Sequence, residues 1–161
     1  MAVTDAFTAE EWARVVAAPM LAGIAVTAAE PGGLWGAVKE SVAVAGALRE
    51  GKAGADPLVA EVAAAYETSE GRETARAALK SQARGKAPAA VVEAAVAELA
   101  AVAGLVAAKA PGDAAGFRDW LKAVAARVAE AGAEGGFLGF GGEKVSAAET
   151  ATLDRIATAL G

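Results

Sequence analysis

Residues 8–29 read TAEEWARVVAAPMLAGIAVTAA, and this stretch decides the fold because it predicts a long helix with little charge. Thr8 and Glu11 have the spacing of a capping box, in which each side chain accepts a hydrogen bond from the other residue's backbone N–H. An apolar face follows at helical spacing: Trp12, Val15, Val16, Met20 and Ile24. Pro19 lies inside this pattern and predicts either a kink or two shorter helices. The uncharged run 15–29 is shorter than the ~20 residues that span a bilayer, so we expect a buried central helix and no transmembrane segment.

The rest of the chain predicts about six further helices and no strand. The helical patterns run from Leu34 to Leu48, from Pro57 to Tyr66, from Ser69 to Lys80, from Pro88 to Lys109, from Asp113 to Val128, and from Ser146 to Leu160. Asp56 before Pro57 has the features of an N-cap followed by proline at the first helical position. Short connections rich in glycine and proline favour an all-α, compact bundle of about seven helices that forms a single domain over residues 1–161.

Composition excludes several function classes. The chain has no His and no Cys, so it lacks the commonest general base, the commonest transition-metal ligand and any thiolate nucleophile. Its net charge is −5 and its basic residues are dispersed, which argues against nucleic-acid binding. The N-terminus has neither a basic nor a hydrophobic segment typical of a secretory signal. We therefore expect a cytoplasmic protein that is not an enzyme and has no cofactor.

Carboxylates and one glycine-lysine string are the remaining candidates for chemistry. Glu93 and Glu98 are five residues apart on one predicted helix, so they diverge by about 140° and do not form an acid–base pair. The string from Gly46 to Lys52 has the spacing of a phosphate-binding loop, but Ala53 replaces the required Ser or Thr and a helix precedes it. We interpret it as the end of a helix that Gly51 and Gly54 terminate.

A glycine-aromatic loop near the C-terminus is the least typical segment of the chain. Residues 135–142 read GGFLGFGG, which places Phe137, Leu138 and Phe140 on backbone rich in glycine. In one reading these side chains fold inward and cover the end of the bundle, which would bury a large apolar area. In the other they form an exposed apolar surface that contacts a partner, an apolar ligand or a membrane surface.

Two similar turns suggest an internal repeat of two halves. In the first half a helix containing Trp12 runs into Glu30-Pro-Gly-Gly, and Trp35 follows; in the second a helix containing Trp120 runs into Glu134-Gly-Gly. With the closing segment from Ser146 to Leu160, which has cap, glutamate, leucine and isoleucine in order, the chain resembles the bacterial TerB-like tellurite-resistance domain. This resemblance implies an all-helical domain of about this length in which each half has an acidic-glycine turn before a capped helix.

The same resemblance bears on metal binding. The family's Asp-Gly turn is thought to take part in metal binding, and Glu134-Gly135 stands at the corresponding place in this chain. Glu149 matches the acidic position of the closing pattern, where a capping box with Ser146 also accounts for it. We predict that the chain binds no metal, and Glu134 and Glu149 are the candidate ligands of the opposite reading.

Three functional readings follow from the sequence. The first is a non-catalytic binding or stress-response module that contacts a protein partner through a surface containing Trp35, Phe137, Leu138 and Phe140. The second is a carrier of an apolar small molecule or lipid, held between the helices that contain 15–24 and 91–106. The third is a carboxylate-based metal-binding protein. The oligomeric state is left open by the sequence.

Overall fold

The structure is a computed structural model that describes residues 2–29, 36–134 and 147–161. In this part of the chain it has seven α-helices, one short 3₁₀ helix at Val3–Ala6 and no strand, which confirms the all-α prediction. The α-helices are α1 (Ala9–Ala29), α2 (Gly36–Ala53), α3 (Pro57–Ala65), α4 (Ser69–Ala83), α5 (Pro88–Lys109), α6 (Ala114–Glu134) and α7 (Ala147–Leu160).

The hydrogen bonds that cap the N-termini of α1 and α3, as the sequence predicts, are present in the structure. The Thr8 hydroxyl accepts from the backbone N–H of Glu11 at 3.2 Å, and the Glu11 carboxylate accepts from the N–H of Thr8 at 2.8 Å. Asp56 caps α3 by accepting from the N–H of Val59 at 3.0 Å. Both caps involve residues three positions apart in the chain, so they form independently of how the helix packs against the rest of the protein.

The structure excludes one of the two alternatives predicted at Pro19, and it differs from the prediction at Gly51. Helix α1 continues through Pro19 without splitting, and α2 continues past Gly51 to Ala53. Gly51 is a close-packing position, because a Cβ there would lie 2.8 Å from Val59 Cγ1 and 2.9 Å from Trp120 Nε1. Gly51 therefore lets α2 approach α3 and α6 closely, and it does not end the helix.

Helix α1 is the centre of the bundle. It contacts each of the other six α-helices and packs most extensively against α5. Its buried side chains are small or medium-sized: Val15, Val16, Ala17, Ala18, Leu21, Ala22, Ala25 and Val26. A Cβ at Gly23 would lie 3.3 Å from Val44 on α2 and 3.6 Å from Val128 on α6. Small side chains thus let several helices surround α1 at short distance.

Two helices in the described residues are long and apolar enough to cross a membrane by length and composition. They are α1, with 56% of its most apolar window buried inside the bundle, and α5, with 39% buried. Core helices of globular proteins pass the same test, and α1 and α5 pack directly against each other. Length and hydropathy alone therefore do not assign a membrane location to either helix.

The first turn of α4 packs closely against the end of α3. We expect Gly71→Ala to lower the free energy of unfolding by about 2 kcal/mol, as overpacking does. A Cβ at Gly71 would lie 2.0 Å from the carbonyl oxygen of Ala65, so backbone would have to move. Gly104 is the matched control, since it is exposed within α5 and no atom outside the adjacent backbone of its own helix lies within 4 Å of its Cβ position.

Gly104→Ala should raise the free energy of unfolding by about 0.5–1 kcal/mol through helix propensity. Urea denaturation measures both variants. A Gly71→Ala variant as stable as the Gly104→Ala variant would contradict the close contact at this turn.

Candidate ligand-binding site

Most of the site residues predicted from the sequence lie outside the described residues. This holds for Trp35, Phe137, Leu138 and Phe140, and for the side chain of Glu134 at the end of α6. Glu149 is described and is buried in the first turn of α7, with 6% of its surface exposed. The aromatic surface therefore stays a prediction, and so does the absence of a metal site at Glu134 and Glu149.

A cavity of the described residues lies on one side of α1, between α1, α2 and α4. Its volume is about 400 Å³. Its apolar wall consists of Met20, Ile24, Val44, Ala45, Leu48 and Leu79. Five of these six are partly buried and Ala45 is exposed, so apolar surface remains accessible here. We call this cavity the α1–α4 pocket.

The position of the pocket differs from the one expected for a carrier. The helices that contain 15–24 and 91–106 pack against each other as α1 and α5, and they bury Leu21, Leu99 and Val102 in the core. The pocket lies on another face of α1, where the polar helix α4 is the neighbour. Helix α4 buries only Ala75 completely, so it covers α1 incompletely.

Tyr66 fixes one end of the pocket. It follows α3 directly, and its hydroxyl donates a hydrogen bond to the carbonyl oxygen of Val16 on α1. Burial raises the pKa of the Tyr66 phenol, while a hydrogen bond from the backbone N–H of Met20 acts in the opposite direction. The tyrosine thus joins α3 to α1 and stays protonated at neutral pH.

Two arginines of α4 lie at the edge of the pocket. The guanidinium of Arg72 donates to the carbonyl oxygen of Tyr66 at 2.9 Å and to the hydroxyl of Ser69 at 3.4 Å. The guanidinium of Arg76 makes no hydrogen bond or ion pair with any residue that the structure describes. Both side chains are exposed. The pocket therefore has an apolar wall and a cationic edge.

Two smaller pockets of about 230 Å³ each are more polar. One lies next to Arg14, whose guanidinium donates to both carboxylate oxygens of Glu98 at 2.6 and 3.2 Å. The other lies next to Trp120, whose indole N–H donates to the carbonyl oxygen of Ala47 at 3.2 Å. In both cases the polar side chain is occupied by a contact within the protein.

The acidic side chains of the described ranges form no group that could hold a metal ion. Glu93 pairs with Arg155 and Glu98 with Arg14, so the two glutamates point to different neighbours as their spacing predicts. No group of three carboxylates converges among residues 2–29, 36–134 and 147–161. Residues 46–53 are helical, as expected for the end of α2.

The comparisons with known proteins leave the site as the main source of functional information. No family model matches the chain, and neither a curated protein nor a solved structure is found to be similar. The resemblance to the TerB-like domain and the internal repeat therefore stay predictions.

The residues of the α1–α4 pocket lie on separate predicted helices, and no sequence pattern brings them together. The sequence places Met20 and Ile24 on one apolar face of the first helix, and it places Arg72 and Arg76 on the helix predicted from Ser69 to Lys80. One feature of the sequence could have indicated the pocket. Helix α4 has so few apolar residues that it cannot cover the whole apolar face of α1.

Tyr66 offers a direct test of this geometry because it is the only tyrosine in the chain. We expect its phenol in the folded protein to titrate at a higher pH than in urea, where the pKa should be near the ordinary ~10. Ultraviolet absorbance of tyrosinate measures both titrations. The folded state holds the proton longer, so wild-type stability should fall relative to Tyr66→Phe as the pH rises above about 10.

Equal titration of folded and unfolded protein would contradict the buried hydroxyl. At neutral pH, Tyr66→Phe should lower the free energy of unfolding by about 1 kcal/mol through loss of the hydrogen bond to Val16.

Proposed function

We propose that this protein is a non-catalytic binding protein that holds a small apolar or amphipathic molecule in the α1–α4 pocket. The single observation that supports this function is the accessible apolar wall of a cavity of about 400 Å³. Ligand pockets of proteins typically have volumes of roughly 300–1,000 Å³ and mainly apolar walls with a few polar groups. This favours the carrier reading of the sequence over the other two.

The chemistry of the wall supports binding in preference to catalysis. Its described side chains are aliphatic apart from Thr27, Tyr66 and the two arginines, and none of them is a carboxylate. The tyrosine hydroxyl is hydrogen-bonded to backbone, and burial holds it in the protonated form. A ligand in this pocket would meet apolar surface and cationic groups, with no general base among the wall residues described.

A blocking substitution tests the pocket. Ala45 is exposed and lies in the wall, so Ala45→Trp should fill much of the cavity without disturbing the core. In a titration followed by ¹H–¹⁵N NMR, 1-decanol should shift the amide signals of Gly23, Ala45 and Leu48 in the wild type. We expect Ala45→Trp to weaken binding at least about tenfold, since loss of the contact area removes the main apolar contribution.

Ala97→Trp is the matched control, because Ala97 is exposed on α5 and does not line the pocket. It should bind 1-decanol as the wild type does. No shifts in the wild type, or equal binding by both tryptophan variants, would contradict the proposed function.

The protein-binding surface predicted around the glycine-aromatic loop needs a separate test. If Phe137 and Phe140 form an exposed surface, replacing both by Ser should leave the free energy of unfolding within about 0.5 kcal/mol of the wild type. A loss of several kcal/mol, measured by urea denaturation, would assign them to the core and contradict the surface reading.

A further inference from the structure

We infer that the ligand of the α1–α4 pocket is an anionic amphiphile, a carboxylate with a single medium-length apolar chain, whose head group binds Arg72 and Arg76. This inference rests on the proposed function and adds the charge and size of the ligand. Three observations support it: the local charge, the free donors of the arginines and the volume of the pocket.

The charge of the described pocket wall is opposite in sign to that of the whole chain. The protein has a net charge of −5, yet the described wall contains two arginines and no acidic residue. Arg72 and Arg76 are four residues apart on α4, so they lie side by side on one helix face and repel each other. An anion between them would remove this repulsion and gain two charge-assisted contacts.

The arginines retain hydrogen-bond donors for such a group. A guanidinium has five N–H donors. The guanidinium of Arg72 donates hydrogen bonds to Tyr66 and Ser69, and these hold it at the edge of the pocket. Arg76 uses none on described residues, and Glu73, one helical turn before it, forms no ion pair with it. Arg76 is therefore the residue most able to bind a carboxylate, with Arg72 as a fixed second contact.

The volume limits the apolar chain. At the ~30 Å³ that a water molecule occupies in the liquid, a cavity of about 400 Å³ holds on the order of a dozen non-hydrogen atoms. Decanoate has this size. Its chain would contact Met20, Ile24 and Leu48, and its carboxylate would lie at the arginine edge.

Three ligands with the same chain and different head groups test the inference. Decanoate, 1-decanol and decylammonium carry charges of −1, 0 and +1 at pH 7, and NMR titration gives the Kd of each. In the wild type we expect decanoate to bind roughly three- to tenfold more tightly than 1-decanol, and decylammonium to bind most weakly.

Arg76→Gln should bring the Kd of decanoate to within about twofold of that of 1-decanol and leave 1-decanol binding unchanged. Arg76→Glu should reverse the order of decanoate and decylammonium. Arg49→Gln is the matched control, since Arg49 is exposed on α2 and does not line the pocket. It changes net charge equally and should leave the order of the three ligands unchanged.

The outcomes separate this inference from the proposed function. Binding of 1-decanol at the pocket with no preference for decanoate, or a preference that Arg76→Gln does not change, would overturn the inference alone. Absence of all binding would overturn both. Decanoate binding that persists in Ala45→Trp would place the anion site elsewhere and would also overturn the inference.

Discussion

The burial of α1 against six other helices is the constraint on which the rest of the structure depends. A helix can be surrounded in this way only if its side chains are small, and α1 provides alanine, valine and Gly23 at the contacts. Because the apolar area per residue is modest, stability must come from many close contacts. Among the described residues, five exposed or partly exposed ion pairs join different parts of the chain around this core, and each contributes little by itself.

The pocket is a consequence of the same arrangement. Helix α5 is apolar enough to pack along α1, whereas α4 has one fully buried side chain, Ala75. The face of α1 beside α4 therefore keeps accessible apolar surface, next to Met20 and Ile24. Tyr66, which follows α3, is joined to α1 by its hydrogen bond to Val16. The arginines of α4 supply the only charges of the described wall. A core helix and a polar surface helix together form a site that neither would form alone.

Local chemistry explains which parts of the fold could be predicted from the sequence. Capping by Thr8 and Asp56 involves residues three positions apart, so the sequence shows it directly. Gly51 was misread because its role depends on Trp120, far away in the chain. The pocket was missed for the same reason, since Met20 and Arg76 belong to different helices and no periodic pattern pairs α1 with α4. Trp35 and the glycine-aromatic loop lie outside the described residues, so what the sequence predicts for them stays a prediction.

The most direct measurement of the central claim is the set of intermolecular nuclear Overhauser effects between decanoate and the isotope-labelled wild-type protein. We expect contacts from the terminal methyl group of decanoate to the side chains of Met20 and Leu48, and contacts from the ligand protons beside the carboxylate to Arg76. Contacts confined to other faces, such as the exposed side of α5, or the reverse orientation of the chain, would contradict it.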